Sequence, residues 1–396
     1  MDTKRFDEPM RDRLVRIAGI DPRTGREYDH VAFDPPPLPS TVDLSPATWM
    51  EVTAVTHALG QLAQATRQIP NPALFRRPVI WREAQSTSAL EGTYALLEDV
   101  IEADVTPGGD DMSSSSPALR EVMNYVVLSD EAIDWVREGR KLTVGLLGGL
   151  QARLFRDTPS EAAADTGRIR RGQVVIGPKG MAVEEARFVP PPPGGGLESA
   201  LQDLLDWMEA EHDIPPVVRA ALAHYQFECL HPFTDGNGRL GRLIIVLQLI
   251  RAGVIEEGIL SVSPWFEERR RDYQDHLLEV SHTGSFDHWV RFFSRGLRAR
   301  AHATTRAVSE LLSYADELRD LAAREKLAGT IVHMLNGLIR QPILTARSLA
   351  EDQGVSPQTA YSVIERLCGL GVLTEITGRS YGRVFAATRV LEIVRQ

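Results

Sequence analysis

Four ionisable side chains lie close together in the segment His231-Pro-Phe-Thr-Asp-Gly-Asn-Gly-Arg-Leu-Gly-Arg242. The imidazole of His231 could take a proton from an attacking hydroxyl group. Asp235 offers a hard oxygen ligand, which suits Mg²⁺ bound together with substrate phosphates. Arg239 and Arg242 are three positions apart, so on a helix they share a face and can bind phosphate oxygens. The segment therefore predicts the binding of a polyphosphate beside a general base.

Two apolar helices are predicted to hold this segment in place, one over Val217 to Leu230 and one over Leu240 to Ile250. Between them, Gly236, Asn237 and Gly238 would bring backbone N–H groups to the start of the second helix. Such groups bind anions, helped by the helix dipole and by the missing Cβ of glycine. A plain glycine-rich turn would explain any one of these residues alone, but their combination favours a phosphate site.

The segment resembles the signature of Fic family proteins, His-Pro-Phe-x-Asp/Glu-Gly-Asn-Gly-Arg-x-x-Arg, with every position matched. Residues 223–230 are similar to the helix that leads into it. The order of residues from about 30 to 300 follows bacterial Fic proteins with an N-terminal extension and a C-terminal winged helix. The resemblance implies a mainly α-helical Fic fold with a small β-hairpin flap, plus a C-terminal winged helix-turn-helix domain.

The resemblance also implies an activity, the transfer of AMP from Mg-ATP to a hydroxyl side chain of a target protein or of the protein itself, with release of diphosphate. It implies that His231 is the general base and that Asp235 binds Mg²⁺. It also implies that Arg239 and Arg242 bind the phosphates, with Arg242 nearest the γ-phosphate. The anion loop would be formed by Gly236, Asn237 and Gly238, and Phe233 would pack inward.

A second motif, Thr87-Ser-Ala-Leu-Glu91-Gly92, places a hydroxyl and a carboxylate four residues apart on one helix face. By itself it is typical of a helix end capped by Gly92. Beside the first motif it resembles the family's inhibitory helix, Ser/Thr-x-x-x-Glu-Gly/Asn. The resemblance implies that Glu91 pairs with Arg242 and occupies the γ-phosphate position. In some relatives this glutamate supports removal of AMP, so that activity stays open.

Residues about 172 to 190 predict a hairpin, since the β-branched run Gln173-Val174-Val175-Ile176-Gly177 is followed by a turn and by Arg187-Phe-Val189. It resembles the Fic flap, which aligns a target segment by strand addition. A plain surface hairpin is the alternative. The preceding Arg168, Arg170 and Arg171 would contact an acidic target or be solvated.

Residues 326–396 predict a winged helix-turn-helix, with Thr345 and Ser356 as helix caps. Its third helix and wing would supply DNA contacts, namely Gln358, Thr359, Arg366 and Arg379. Eight basic and five acidic residues give this segment a charge of +3, which permits DNA binding without requiring it. Docking to a protein is the alternative.

Composition bounds the remaining choices. The 396 residues carry a net charge of -10, which argues against a general polyanion binder, and two cysteines exclude a disulfide framework. Neither a signal peptide nor a membrane span is apparent, so we expect a cytoplasmic protein without membrane partners. We expect an N-terminal helical extension (1–110) followed by a catalytic core (111–312). Within the extension, residues 1 to about 45 are expected to be irregular, and residues about 82–92 to form the inhibitory helix.

The rival hypothesis is a nucleotide-sensing, DNA-binding regulator with little chemistry of its own. An intact His231 argues against it, because binding a nucleotide does not require a base at that position. The oligomeric state, a homodimer included, stays open.

Overall fold

Helices make up most of the fold, and the strands are short. The computed structural model describes residues 1–21, 25–67, 73–105, 115–158, 165–178, 182–378 and 382–395. Within these ranges the helices are α1 (Glu8–Arg11), α2 (Pro46–Arg67), α3 (Ala73–Leu90), α4 (Leu97–Val105), α5 (Pro117–Arg137), α6 (Val144–Leu154), α7 (Gly195–Glu209), α8 (Pro216–Leu230), α9 (Asn237–Arg251), α10 (Ser263–Glu268), α11 (Arg270–Thr283), α12 (Asp287–Arg324), α13 (Thr330–Gly337), α14 (Ala346–Gln353), α15 (Pro357–Gly369) and α16 (Thr388–Arg395). The strands are β1 (Leu14–Ile20), β2 (Glu27–Phe33), β3 (Ile343–Thr345), β4 (Thr374–Glu375) and β5 (Val384–Ala386). In the described ranges, no helix combines the length and the apolar character needed to cross a bilayer.

The N-terminal segment forms a β-hairpin, so the expectation that residues 1 to about 45 are irregular was wrong. Strands β1 and β2 pair antiparallel, from Leu14 opposite Phe33 to Ile20 opposite Glu27. The Phe33 N–H donates to the Val189 carbonyl at 2.9 Å, and its ring meets that of Phe188 edge-on at 6.0 Å. The hairpin therefore supports the segment that was predicted to be the flap.

Helices α8 and α9 lie in the main hydrophobic core. Every residue of α9 from Asn237 to Ile250 is buried, which explains why this helix has no polar face. The long helix α12 packs along α2 and α8. Its Trp289 side chain donates from Nε1 to the Ala221 carbonyl of α8 at 2.8 Å. The loop between α8 and α9 thus joins two helices that are packed in the core.

Helix α3 begins earlier than the predicted inhibitory helix and is anchored by charged groups. The Glu83 carboxylate accepts hydrogen bonds from the Ser261 hydroxyl and the Ser263 N–H, both at 2.9 Å. Arg77 forms an ion pair with Asp104 of α4. Hydrogen bonds to charged groups are worth about 1.5–3 kcal/mol each, so these contacts together fix α3 against the core.

The C-terminal elements run in the order α13, β3, α14, α15, β4, β5 and α16, and the sheet order is β3-β5-β4. Thr345 caps α14 in a capping box with Ser348, and Ser356 caps α15, as predicted. Helix α12 continues to Arg324, past the expected end of the core at residue 312. Helix α16 packs against α12 and α3. This element order is compatible with a winged helix, which stays a prediction.

Candidate active site

The loop between α8 and α9 has a tightly specified backbone. His231 ends α8 in a left-handed conformation (φ 49°), and its N–H donates to the Phe227 carbonyl at 3.0 Å. The Asn237 side chain closes the loop, since its Oδ1 accepts from the Phe233 N–H at 2.9 Å and its Nδ2 donates to the Phe233 carbonyl at 2.8 Å. Phe233 packs inward as predicted. The Asn237 amide is engaged within the loop, so only its backbone N–H is available to an anion.

His231 is in the form that a general base needs. Its Nδ1 lies 3.3 Å from the Glu228 carbonyl, which can only accept, so we assign the proton to Nδ1 and a lone pair to Nε2. Burial and, to a smaller extent, the charge of Arg170 lower the pKa of His231 to about 4. The imidazole is therefore neutral near pH 7 and able to accept a proton.

The start of α9 has the shape of an anion site. Gly236 takes a left-handed conformation (φ 84°), and a Cβ there would lie 2.8 Å from the Leu154 side chain. Its N–H donates to Asp235 Oδ1 at 2.6 Å, so this amide is already paired. At Gly238 a Cβ would lie 2.1 Å from Glu91 Oε1. A carboxylate of this chain thus sits against the first turn of α9, where a bound anion was predicted.

Asp235 is placed where a metal ligand is accessible. Its side chain is 53% exposed, and Gln151 supports the loop by donating from Nε2 to the Asp235 carbonyl at 3.2 Å. Among the described residues, no cluster of three or more His, Cys, Asp or Glu side chains could hold a metal ion. One carboxylate beside substrate phosphates is nevertheless a common Mg²⁺ site, so the donor set fits the predicted ion.

Arg239, predicted to bind phosphate, is buried and paired. Its Nη1 donates to Glu121 Oε2 of α5 at 2.7 Å, and its Nη2 lies 3.6 Å from Asp235 Oδ1. The guanidinium carbon lies 5.0 Å from the centre of the Phe155 ring. The Thr93 hydroxyl donates to the same Glu121 oxygen at 3.3 Å. Glu121 therefore links the segment after Glu91 to this arginine, a contact that no local sequence pattern indicates.

Arg242 meets both ends of the second motif. Its Nε donates to Thr87 Oγ1 at 2.7 Å, and its Nη2 donates to the Thr87 carbonyl at 3.0 Å and to Glu91 Oε1 at 2.6 Å. Gly92 follows in a left-handed conformation (φ 87°) that glycine adopts readily. Burial disfavours the ionised form of Glu91, but Arg242 outweighs it and lowers the pKa of that carboxyl. The same pairing raises the pKa of Arg242.

The predicted flap forms one antiparallel bridge instead of a strand pair. Ile176 and Phe188 exchange both backbone hydrogen bonds, at 2.9 and 3.1 Å. The ladder stops there because residues 190–193 are prolines without N–H groups. Gln173 instead uses its side chain, which donates to the Val174 and Pro190 carbonyls. Val174, Val175 and Ile176 are half-buried and Gly177 is exposed; residues 179–181 lie outside the described ranges.

The candidate DNA-contacting residues on α15 are exposed. Gln358, Thr359 and Arg366 all lie on its outer side, and the Arg366 guanidinium donates to Glu325 Oε2 at 2.9 Å. Arg379 lies outside the described residues. These positions permit contact with another macromolecule, and DNA binding stays a prediction.

Arg170 was expected at the surface, and the structure corrects this. Its side chain is fully buried, whereas Arg168 and Arg171 are exposed. Gln151 is likewise buried, and its Oε1 accepts from the Gly167 N–H at 2.5 Å. These residues and Glu121 support the site from outside the two motifs. Conservation of these residues in an alignment of relatives is the signal that could have identified them.

Two family models match the chain. The Fic/DOC family model matches residues 141–249, and the Fic/DOC family N-terminal model matches residues 49–134. The chain contains a Fic/DOC domain and a Fic/DOC N-terminal domain. The first match spans the loop from His231 to Arg242, and the second spans Thr87 to Gly92. Both motifs of this Fic/DOC chain thus lie within family domains.

Among relatives of this Fic/DOC chain, the protein adenylyltransferase fic-1 of Caenorhabditis elegans is 38% identical over 221 residues, which cover 53% of this chain and 37% of that protein. The protein adenylyltransferase Fic of Drosophila virilis is 35% identical over 130 residues, covering 32% and 23%. The chain thus spans well under half the length of these curated relatives.

A crystal structure of a Fic family protein from Desulfovibrio desulfuricans G20 is similar to this chain, with a TM-score of 0.55 and 23% identity over 89% of this chain and 98% of that one. At this identity the similarity supports a shared fold, the helical Fic fold that the sequence predicts.

Proposed function

We propose that this chain is a protein adenylyltransferase that moves AMP from Mg-ATP to a hydroxyl side chain of a target protein or of itself. The observation that carries the proposal is the Glu91 carboxylate, which lies against Gly238 and pairs with Arg242. A built-in anion at the start of a buried helix indicates a site made for the oxygens of a phosphate. The names of the curated relatives support AMP as the group transferred.

His231 would act as the general base. The target hydroxyl gives its proton to Nε2 while its oxygen forms a bond to the α-phosphorus. The bond from that phosphorus to the bridging oxygen of the leaving diphosphate breaks, and diphosphate keeps the electron pair. The Glu228 carbonyl, which accepts from Nδ1, holds the imidazole in the required tautomer. General-base catalysis of this kind contributes about 10²–10⁴-fold to the rate.

The phosphate ligands would come from α9 and the loop before it. Free N–H groups in its first turn and the guanidinium groups of Arg239 and Arg242 would hold the phosphate oxygens. Asp235 would hold Mg²⁺, which supplies charge neutralisation on the phosphates when bound. Glu121 would have to share Arg239 with the nucleotide, because it holds the Nη1 of that arginine.

Autoinhibition is the second part of the proposal. ATP cannot place an oxygen where the Glu91 carboxylate lies, so a productive γ-phosphate requires Glu91 to leave Arg242. A ligand that competes with an internal group loses affinity by the free energy of that internal contact. Glu91 is 33% exposed at the side-chain level, so water can solvate it once it has moved.

Transfer of α-labelled AMP by the wild type, Glu91→Gly and the double variant Glu91→Gly/His231→Ala tests the proposal. We expect label on protein with Glu91→Gly and a loss of about 10²–10⁴-fold when His231 is also replaced. ATP binding measured by calorimetry should survive the His231 change. Nucleotide binding without any His231-dependent transfer would favour the nucleotide-sensing regulator instead.

A further inference from the structure

Arg170 is a buried cation whose hydrogen bonds go to backbone carbonyls. Its side chain is 1% exposed. Nε donates to the His231 carbonyl at 2.8 Å, Nη1 to the Gly172 carbonyl at 3.1 Å, and Nη2 to the carbonyls of Pro191 at 2.5 Å and Leu230 at 3.5 Å. Few side chains can reach so many acceptors, and the planar fork of arginine is suited to it.

These carbonyls belong to the two segments that the proposed reaction must bring together. His231 carries the base. Gly172 begins the flap segment and Pro191 directly follows it, so they lie on either side of the bridge between Ile176 and Phe188. The Arg170 N–H adds a bond to the Pro232 carbonyl at 2.9 Å. One residue therefore joins the catalytic loop to both ends of the flap.

Arg170 has no ion-pair partner among the described residues, and burial lowers its pKa to about 10. It is still charged at pH 7. An isolated buried charge is unfavourable, and a neutral side chain would fill the same space at lower desolvation cost. The hydrogen bonds to four carbonyls need the donors of a guanidinium group, and the charge that comes with it favours the unprotonated form of a nearby imidazole.

We propose that Arg170 is a positioning residue that holds the His231 base and the target-aligning flap in one geometry. Its charge, as the smaller contribution beside burial, also favours the unprotonated imidazole. This inference rests on the proposed function for its catalytic consequence. Other charged groups act on the same imidazole. Glu91 favours the protonated form, as does the Glu228 carbonyl that accepts from Nδ1. The charge of Arg170 acts in the opposite direction and favours the unprotonated imidazole.

The test uses the full-length chain with Glu91→Gly as the parent, and adds Arg170→Gln or Arg170→Lys. The glutamine variant loses the charge and most of the fork, while lysine keeps the charge and loses the fork. Arg171→Gln removes the same charge at the next, exposed position and is the matched control for the charge. We measure kcat and KM for ATP, the thermal unfolding midpoint, and the titration of His231 by NMR, assigned by comparison with His231→Asn.

We expect both Arg170 variants to lower kcat by about 10- to 100-fold with KM for ATP nearly unchanged, because a displacement of about 1 Å at the base has such an effect. The pKa of His231 should be higher in Arg170→Gln than in the Glu91→Gly parent, and it should stay at the parent value in Arg170→Lys and Arg171→Gln. A residue that served stability alone would lower the unfolding midpoint while kcat per folded molecule and the His231 titration stayed at the parent values.

Parent-like kcat in both Arg170 variants overturns the positioning role, and an unchanged His231 titration in Arg170→Gln overturns the role of its charge. If Arg170→Gln does not fold, kcat of Arg170→Lys decides the positioning role, and Arg170→Met replaces glutamine in the titration. If the parent transfers no AMP at all, the proposed function fails, and the titration still tests whether Arg170 controls His231.

Discussion

Replacing Glu91 by glycine removes the carboxylate that lies 2.6 Å from Arg242 Nη2 and against the first turn of α9. In the wild type, a γ-phosphate must first displace this group. The contact joins two charged partners, and such hydrogen bonds are worth about 1.5–3 kcal/mol. The 33% exposure of Glu91 allows water to replace Arg242 as its partner, which argues against the larger value of a fully buried pair.

A difference of 1.36 kcal/mol corresponds to about a tenfold change in population, so Arg242 is free about 10- to 100-fold less often in the wild type. We expect Glu91→Gly to raise AMP incorporation by that factor when ATP is well below saturation. The assay counts α-labelled AMP on the protein itself and on lysate proteins. Glu91→Gln keeps the size of the side chain without its charge, and it should fall between the two.

Calorimetric ATP binding separates this reasoning from the proposed chemistry. Glu91→Gly should bind ATP more tightly than the wild type even if no target is present. Equal affinity, together with equal incorporation at low ATP, would refute the idea that Glu91 competes with the nucleotide for Arg242.

Three further predictions concern other residues. Thr87→Val removes the acceptor of Arg242 Nε and should lower the free energy of unfolding by about 1.5–3 kcal/mol, whereas Thr87→Ser should lose less than half of that in the same denaturant titration. Burial raises the pKa of Glu228 from 4.5 to about 8, so the folded state binds this proton more tightly than the unfolded state. The contribution of Glu228 to the free energy of unfolding is therefore complete below about pH 4.5 and is lost as the pH rises to 8. Glu228→Gln should abolish this pH-dependent loss of the free energy of unfolding between pH 4.5 and 8. If the free energy of unfolding fell equally with pH in both proteins over this range, the prediction would be wrong. If α15 binds DNA, Arg366→Ala should weaken a salt-sensitive gel shift, and a shift unaffected by both salt and Arg366→Ala would count against DNA binding.

The catalytic loop could be predicted from the sequence because its parts are close in the chain. Glycine, asparagine and the helix start act over a few residues, so Gly236 and Phe233 lie where the pattern places them. The pairing of Arg242 with Glu91 joins residues 151 positions apart. It was expected only because a family resemblance connects the two motifs, since no periodicity in either helix indicates it.

Other parts of the site depend on packing that a single sequence does not reveal. Arg168, Arg170 and Arg171 are chemically alike and adjacent, yet only Arg170 is buried. What distinguishes it is the set of carbonyls that the flap and the catalytic loop bring around it. The N-terminal hairpin was missed for a related reason. Its connection is longer than the two-residue turns that mark a hairpin in sequence, and its strands are stabilised by contacts with residues near 189.

Release of inhibition is expected to be local to the end of α3. Three hydrogen bonds from Ser261 and Ser263 hold the Glu83 carboxylate in the middle of the helix, and Arg77 pairs with Asp104. At about 1.5–3 kcal/mol for each hydrogen bond to a charged group, these contacts together cost more to break than the single contact of Glu91 with Arg242. Displacing the whole helix therefore requires more free energy than displacing its C-terminal end alone. We expect ATP binding to the wild type to increase amide hydrogen exchange after Leu90 while protection around Glu83 stays constant. Loss of protection along all of α3 would show that the whole helix moves away from the core. The activating signal would then be expected to act on the contacts of Glu83 and Arg77 and not on Glu91.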